Sequence, residues 1–224
     1  MLLNREVVKT ADGSKTIHIG QWNENYHSSH GALQEAKHVF IQHGLSLFLN
    51  QDAISLLEVG FGTGLNAALT LENAANKNVL IHYVGVEAFP VTCEELIALN
   101  YADLFDEKEF SNTYDAMHES DWEKEVKITP DFSLTKRREK LQTIEFLDNT
   151  FDLIYFDAFG PRVQGELWTI EIFTKMYNAL KTGGVFVTYC AKGQVKRDLK
   201  SVGFTVEVLP GPPGKREMTR CRKA

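Results

Sequence analysis

The sequence predicts an α/β protein built on a mainly parallel sheet with an antiparallel last strand. Three observations carry that expectation. Apolar runs of strand length alternate with helix-length amphipathic stretches, the pattern of strand-helix-strand units. One such run, Ile54 to Val59, opens into a turn with three alternating glycines, Gly60, Gly62 and Gly64. The last two strand candidates are joined only by the short Gly211-Pro212-Pro213-Gly214 turn, so they are expected as antiparallel neighbours at one end of the sheet.

At 224 residues and 43% hydrophobic content, the chain suits one globular domain with a modest extension. No apolar run reaches the span of a membrane helix, and Met1 to Glu6 lacks the basic start and apolar core of a signal peptide. A soluble, cytoplasmic protein without membrane contact is expected. Cys93, Cys190 and Cys221 lie far apart, which argues against a disulfide framework and against zinc. His27, His30, His38 and His43 have no metal-ligand spacing with Cys or Asp, so no metal is expected.

Taken in order, residues 1–24 form an N-terminal extension, a hairpin of Glu6 to Lys9 and Thr16 to Ile19 around Thr10-Ala11-Asp12-Gly13-Ser14. Residues 25–224 form the main domain. Asn25 to Gly31 reads as a loop, and Ala32 to Phe48 keeps helical spacing. After the Ile54 to Val59 strand and its turn comes a helix, Leu65 to Ala75. Val79 to Ala88 is a second strand, with a helix from Pro90-Val91-Thr92 to about Asn100. The middle, Ala102 to Thr135, carries Phe105, Phe110, Tyr114 and Trp122 and is expected to hold one helix and a strand ending near Leu134. Phe151 to Phe156 is a buried strand, and Glu166 to Leu180 a helix stopped by Lys181-Thr182-Gly183-Gly184. Val185 to Cys190, a basic helix Gly193 to Ser201, Phe204 to Leu209 and Glu217 to Arg222 complete the sheet. This is the arrangement of Rossmann-like class I methyltransferases. A dehydrogenase would normally continue into a second mononucleotide-binding half, and none follows.

The turn itself narrows the ligand. Its glycines run G-x-G-x-G, a poor match to the dinucleotide pattern. Glu58, two residues before Gly60, would repel a diphosphate and attract a cationic, phosphate-free ligand. S-adenosylmethionine, a sulfonium with an amino acid tail, meets that description; the plainer alternative is a glycine turn with a solvated Glu. The candidate cofactor-binding residues are Glu58, Gly60, Phe61, Gly62, Gly64 and Asn66, with Glu87 at the end of the second strand placed for the ribose hydroxyls.

Asp157 ends the central strand, opposite where a methyl acceptor would enter. For an amine acceptor, a carboxylate there orients the N–H groups and receives the positive charge that develops. Asp157 is the catalytic candidate, a helix cap being the alternative. Phe159 is a candidate wall for a base or for adenine, while Tyr26, Ser28 and Ser29 are placed to close the pocket from the N-terminal side. The net charge of −6 conceals a basic C-terminal segment and a second cluster, Lys136-Arg137-Arg138-Glu139-Lys140. An acidic body with basic edges can meet phosphates.

Several of these motifs resemble a known family. Glu58-Val-Gly-Phe-Gly-Thr-Gly-Leu-Asn66, Tyr155-Phe-Asp-Ala-Phe-Gly-Pro161, Leu167-Trp168, Gly203-Phe204 and Gly214-Lys-Arg-Glu-Met218 together look like the methyltransferase domain of the MnmC family of tRNA wobble-uridine modification enzymes. Tyr26-His-Ser-Ser-His-Gly31, leading to Gln34-Glu35, resembles the family's N-terminal motif. The resemblance runs from about Trp22 to Met218. It implies methyl transfer from S-adenosylmethionine to the amine of 5-aminomethyl-(2-thio)uridine at tRNA position 34. A stand-alone enzyme without the flavin-dependent oxidase half of bifunctional relatives is expected, its substrate made by a separate aminomethyl-forming enzyme; a monomer is expected as well. Phe132-Ser-Leu-Thr-Lys-Arg-Arg138 stands where relatives often carry a Gly-Asp pair on adenine, which leaves the adenine contact unassigned. The candidate tRNA phosphate contacts are Lys192, Lys196, Arg197, Lys215 and Arg216. Two rivals stay open: a class I methyltransferase acting on a small-molecule or protein amine, and a non-catalytic tRNA-binding module of the same fold.

Overall fold

The computed structural model describes residues 4–75, 77–104 and 108–224. Of the aromatic residues in the middle of the chain, Phe105 and the side chain of Phe110 lie outside that description.

A three-stranded antiparallel sheet comes first, made of β1 (Arg5–Lys9), β2 (Lys15–Ile19) and β3 (Glu24–Asn25). The main sheet then uses β4 (Ala53–Val59), β5 (Leu80–Val86), β6 (Glu125–Thr129), β7 (Phe132–Arg137), β8 (Phe151–Phe156), β9 (Leu180–Thr188), β10 (Thr205–Pro210) and β11 (Glu217–Arg222). Its order is β10-β11-β9-β8-β4-β5-β7-β6. The five central strands are parallel, while β11 runs antiparallel to both β9 and β10, and β6 antiparallel to β7.

Alternation along the central strands gives the sheet two buried faces, as a parallel sheet requires. Leu56, Tyr155 and Val187 pack into one apolar cluster; Leu57, Ile154, Phe156 and Phe186 pack into the other. The first is covered by α1 (Ala32–Ala36) and its continuation, by α2 (Leu65–Ala74) and by α4 (Lys108–Glu119). The second is covered by α5 (Ile170–Ala179) and α6 (Gly193–Val202). Between them in sequence, α3 (Cys93–Leu99) starts at Thr92, whose side chain accepts from the Glu95 N–H in a capping box.

The helix expected over Ala32 to Phe48 is not continuous. After α1 the chain widens into a π-helical segment, Lys37–Gln42, which buries Val39, Phe40 and Ile41 in succession. It is followed by Gly44, where a Cβ would meet the Phe40 carbonyl oxygen at 2.5 Å and lie close to Tyr155 and Val187. The helix expected from Glu166 begins later, at Ile170, because the Thr169 hydroxyl caps it. Lys181 to Gly184, read as a helix stop, already belong to β9, with the Lys181 ammonium 2.8 Å from Asp152. The middle of the chain holds a two-stranded hairpin, β6 and β7, where a single strand was expected.

The small N-terminal sheet is tied to the main domain. The Arg5 guanidinium donates to the Phe89 carbonyl at 2.8 Å and pairs with Glu95 at 3.3 Å; the Lys15 ammonium donates to the Ala98 carbonyl at 2.6 Å. Among the described residues no helix is long and apolar enough to cross a membrane.

Candidate active site

A cavity of about 1260 Å³ opens across the carboxyl ends of β4, β5, β8 and β9, where ligands of open parallel sheets sit. Its floor is the glycine turn, Gly60 to Thr63; its far wall is Asp157 to Arg162; its roof comes from the N-terminal sheet, with Trp22, Tyr26 and Ser28. The extension is therefore part of the site.

Gly60 adopts φ +89°, and a Cβ there would lie 2.6 Å from the Asp157 carbonyl oxygen. Only glycine lets β4 and β8 approach so closely at their ends. The Tyr26 ring stands over Gly62, 3.3 Å from where its Cβ would be. The Thr63 carbonyl is fixed from below by the Tyr114 hydroxyl (2.6 Å) and by His118 Nε2 (3.1 Å), which must donate to it. Burial pushes His118 down to about 4, so it is neutral there. Gly64 does not line the cavity; it makes room for the His118 ring, 2.8 Å from where its Cβ would be. Tyr114 and His118, one helical turn apart on α4, were not among the sequence candidates; their i, i+4 spacing was the available signal.

Glu87 lies where the sequence put it, on the cavity wall at the end of β5. Its carboxylate accepts from the Gly62 N–H (3.1 Å) and the Phe89 N–H (2.8 Å), and burial raises its pKa against those bonds. Glu58 corrects the expectation. It is 0% exposed, does not line the cavity, and faces neither ligand nor solvent. The Tyr83 hydroxyl donates to one oxygen at 2.7 Å and the Asn66 amide to the other at 2.8 Å, while burial drives its pKa well up. A carboxylate so placed cannot act as a charged lure at the mouth of the turn.

Asp157 is half-buried on the cavity wall. Asn66 Nδ2 donates to its Oδ2 at 2.8 Å. Burial and the nearby negative Glu35 push Asp157 up to about 7, against the pull of Asn66 and Lys215. The loop it begins is pinned: the Tyr189 hydroxyl donates to the Ala158 carbonyl (2.9 Å) and the Trp168 indole to the Phe159 carbonyl (2.7 Å). Phe159 meets Tyr26 edge to face at 5.0 Å and Trp22 at 5.3 Å, an aromatic wall that joins the extension to the loop after β8. The Ser28 N–H donates to Glu35.

The basic candidates divide. Lys192 and Arg216 line the cavity and are exposed. Lys196 pairs with Glu217 at 3.1 Å, and Arg197 is exposed on α6, bonded to Gln194. Lys215 turns inward, paired with Glu35 and lying over the Tyr189 ring. The Lys136-Arg137-Arg138 cluster does not present a uniform basic edge. Lys136 is 1% exposed, donates to the His118 carbonyl at 2.6 Å and faces the Trp122 ring, and burial lowers it to about 8. Arg137 is paired with Glu123 and Glu139. Among the described residues no cluster of three or more His, Cys, Asp or Glu is arranged to hold a metal ion.

The sheet order, the glycine turn and the acid at the end of β5 define a Rossmann-like class I methyltransferase. A family model described as S-adenosyl-L-methionine-dependent methyltransferase matches residues 107–224, just over half of the chain, and the chain belongs to that family. Its cofactor is S-adenosyl-L-methionine. Among relatives, a bifunctional protein for tRNA 5-methylaminomethyl-2-thiouridine biosynthesis, MnmC, from Cupriavidus metallidurans is 28% identical over 98% of this chain and 34% of its own length. The protein of the same name from Aromatoleum aromaticum is 31% identical over 88% of this chain and 32% of its own. The chain thus spans about a third of the length of the curated relatives it matches. In fold, the crystal structure of MNMC2 from Aquifex aeolicus superposes over all of this chain and 71% of that one, with a TM-score of 0.78 at 24% identity.

Proposed function

We propose that this protein transfers a methyl group to the aminomethyl nitrogen of a modified wobble uridine in tRNA. The single observation that carries the reading is Asp157, a carboxyl group on the cavity wall that burial brings to about 7. An alkylammonium has no lone pair, so methylation needs a nearby base whose proton affinity suits neutral pH. The names of the MnmC relatives refer to tRNA 5-methylaminomethyl-2-thiouridine biosynthesis, which is the nucleoside that methylation of such an aminomethyl group would give, and so support the reading.

The Gly60 and Phe61 N–H groups donate to the Val86 carbonyl and the Gly62 N–H to Glu87, so in this proposal the turn would hold the cofactor by close backbone approach, and Glu87 would receive the ribose hydroxyls. Gly64 shapes the turn from behind, while Asn66 lines the cavity beside Asp157. Phe159, Tyr26 and Ser28 would enclose the extruded base, which needs an aromatic surface once it leaves its stack. Bound in this cradle, the cofactor would supply a methyl group on a sulfonium, with a neutral thioether as the leaving group. Asp157 would take one proton from the substrate ammonium, freeing the nitrogen lone pair that accepts the methyl group. The product leaves as a secondary ammonium, and Asp157 returns its proton to solvent. The chain's further work is orientation, which brings donor carbon and acceptor nitrogen into line. Lys192 and Arg216 at the rim would meet the tRNA phosphates, with Lys196 and Arg197 farther out and Lys215 reserved for the interior.

The test is methyl transfer from radiolabelled cofactor to tRNA bearing 5-aminomethyluridine, beside the same tRNA lacking it and beside free amines. Label on the aminomethyl tRNA alone is expected. Equal labelling of free amines would favour a small-molecule enzyme, and no labelling of the tRNA would overturn the proposal.

A further inference from the structure

Asn66 belongs to the glycine-turn motif and was expected to touch the cofactor. Its hydrogen bonds point elsewhere. Nδ2 donates at 2.8 Å to Glu58 Oε1 and at 2.8 Å to Asp157 Oδ2, so the two amide hydrogens serve two carboxyl groups. Glu58 is itself fixed by the Tyr83 hydroxyl on its other oxygen, 2.7 Å away. A chain of contacts therefore runs from β5 through β4 and α2 to the end of β8. The amide's own Oδ1 is buried with no partner among the described residues. An unpartnered buried acceptor is costly. Turning the amide over would place that oxygen against both carboxyl groups and lose both bonds, so the orphaned atom follows from holding Glu58 and Asp157 together. Asp157 uses Oδ2 for this bond, and among the described residues nothing donates to its Oδ1.

We propose that Asn66 is a positioning residue for Asp157: clamped on buried Glu58, its amide fixes Oδ2 and leaves Oδ1 to the acceptor amine. Glu58 then serves as the anchor of that amide and makes no direct contact with the cofactor. The inference rests on the role given to Asp157 under the proposed function. Asn66 and Glu58 thus form a support that couples the glycine turn to the reacting side of the cavity.

Other charged groups face Asp157 as well. Glu35 from α1 raises its proton affinity, Lys215 from the loop before β11 lowers it, and Tyr189 lies beside it at the end of β9. Asn66 acts in the same sense as Lys215, by donating to the ionised form. Losing the Asn66 donor must therefore move the Asp157 titration upward, by about one pH unit for a hydrogen bond to a charged group.

The experiment follows the Asp157 carboxyl carbon by NMR in the full chain carrying 13C-labelled aspartate, with Asp157→Asn assigning the signal. The midpoint is expected near 7 in the wild type and about one unit higher in Asn66→Ala. The homocysteine product of the cofactor should bind Asn66→Ala within about threefold of wild type, a change under 0.7 kcal/mol. Methyl transfer at pH 7 should fall at least about tenfold in kcat. An unmoved midpoint, or a defect confined to cofactor affinity, would overturn the inference. Should Asn66→Ala not fold, Asn66→Ser removes the same two bonds with less disturbance, and Glu58→Gln supplies an independent arm. Product binding by Glu58→Gln should stay within about threefold of wild type; a tenfold loss would make Glu58 a cofactor contact after all. The titration needs no tRNA, so failure of the wild type to methylate tRNA would sink the proposed function and leave this result readable.

Discussion

Lys215 and Glu35 are paired across 180 residues of sequence, and the Lys215 ammonium also lies 3.9 Å from the centre of the Tyr189 ring. The pair fastens the loop before β11 to α1, and Glu35 in turn accepts from the Ser28 N–H at 2.8 Å. Segments from both ends of the chain thus meet beside Asp157. Lys215→Met would leave a buried carboxylate without its cation. Stability should fall by about 1–3 kcal/mol, less than for a fully buried pair because Lys215 is partly exposed. Urea unfolding checks this, and adding Glu35→Gln should recover part of the loss. A Lys215→Met protein as stable as wild type would mean that the pair holds nothing together.

The pH dependence follows from Asp157. In the proposed reaction its ionised form takes the proton of the substrate ammonium, which the protonated form cannot do. With Asp157 near 7, kcat/KM for the aminomethyl tRNA should rise with pH through an acidic limb centred near 7 and level off above it. Asp157→Asn should lose about 10²–10⁴-fold in rate and abolish that limb. A wild-type profile flat from pH 6 to 8 would remove Asp157 from the proton transfer.

Gly60 offers a sharper structural test. Its φ of +89° and the 2.6 Å from a Cβ to the Asp157 carbonyl oxygen mean that Gly60→Ala strains its own backbone and displaces the end of β8. A loss of about 1–3 kcal/mol in stability is expected, with affinity for the homocysteine product at least about tenfold weaker by calorimetry. Gly165→Ala, where a Cβ meets nothing within 4 Å, is the control.

At the rim, Lys192→Glu and Arg216→Glu should weaken tRNA binding and each reduce the salt slope by about one. Affinity for the cofactor product should change little, because these side chains lie at the cavity edge. Lys196→Glu should act less, since Lys196 is already neutralised by Glu217 at 3.1 Å. Equal effects from all three would show that the contact is a diffuse field with no built rim.

Much of the fold was legible because apolar runs and turn residues mark this sheet clearly: β11 falls on Glu217–Arg222 as expected, and α3 begins at its Thr92 cap. What escaped needed partners from distant strands. Glu58 looked like a ligand lure because its position ends a strand beside the glycines; only the register that sets β5 against β4 brings Tyr83 to it and closes it off. The basic run at Lys136 was misread for a simpler reason. Phe132, Leu134 and Lys136 alternate on one face of β7, so the period of two already pointed Lys136 inward. The break after α1 was hidden because Ala32, Ala36, Val39 and Phe40 fit helical spacing until the sheet beneath them is known.

The most direct measurement is nucleoside analysis, by mass spectrometry, of tRNA from cells lacking this protein. We expect 5-aminomethyl-(2-thio)uridine to accumulate, its methylated form to disappear, and purified protein with S-adenosyl-L-methionine to restore the latter. Unchanged 5-methylaminomethyl-(2-thio)uridine in those cells, with no conversion by the purified protein, would contradict that expectation.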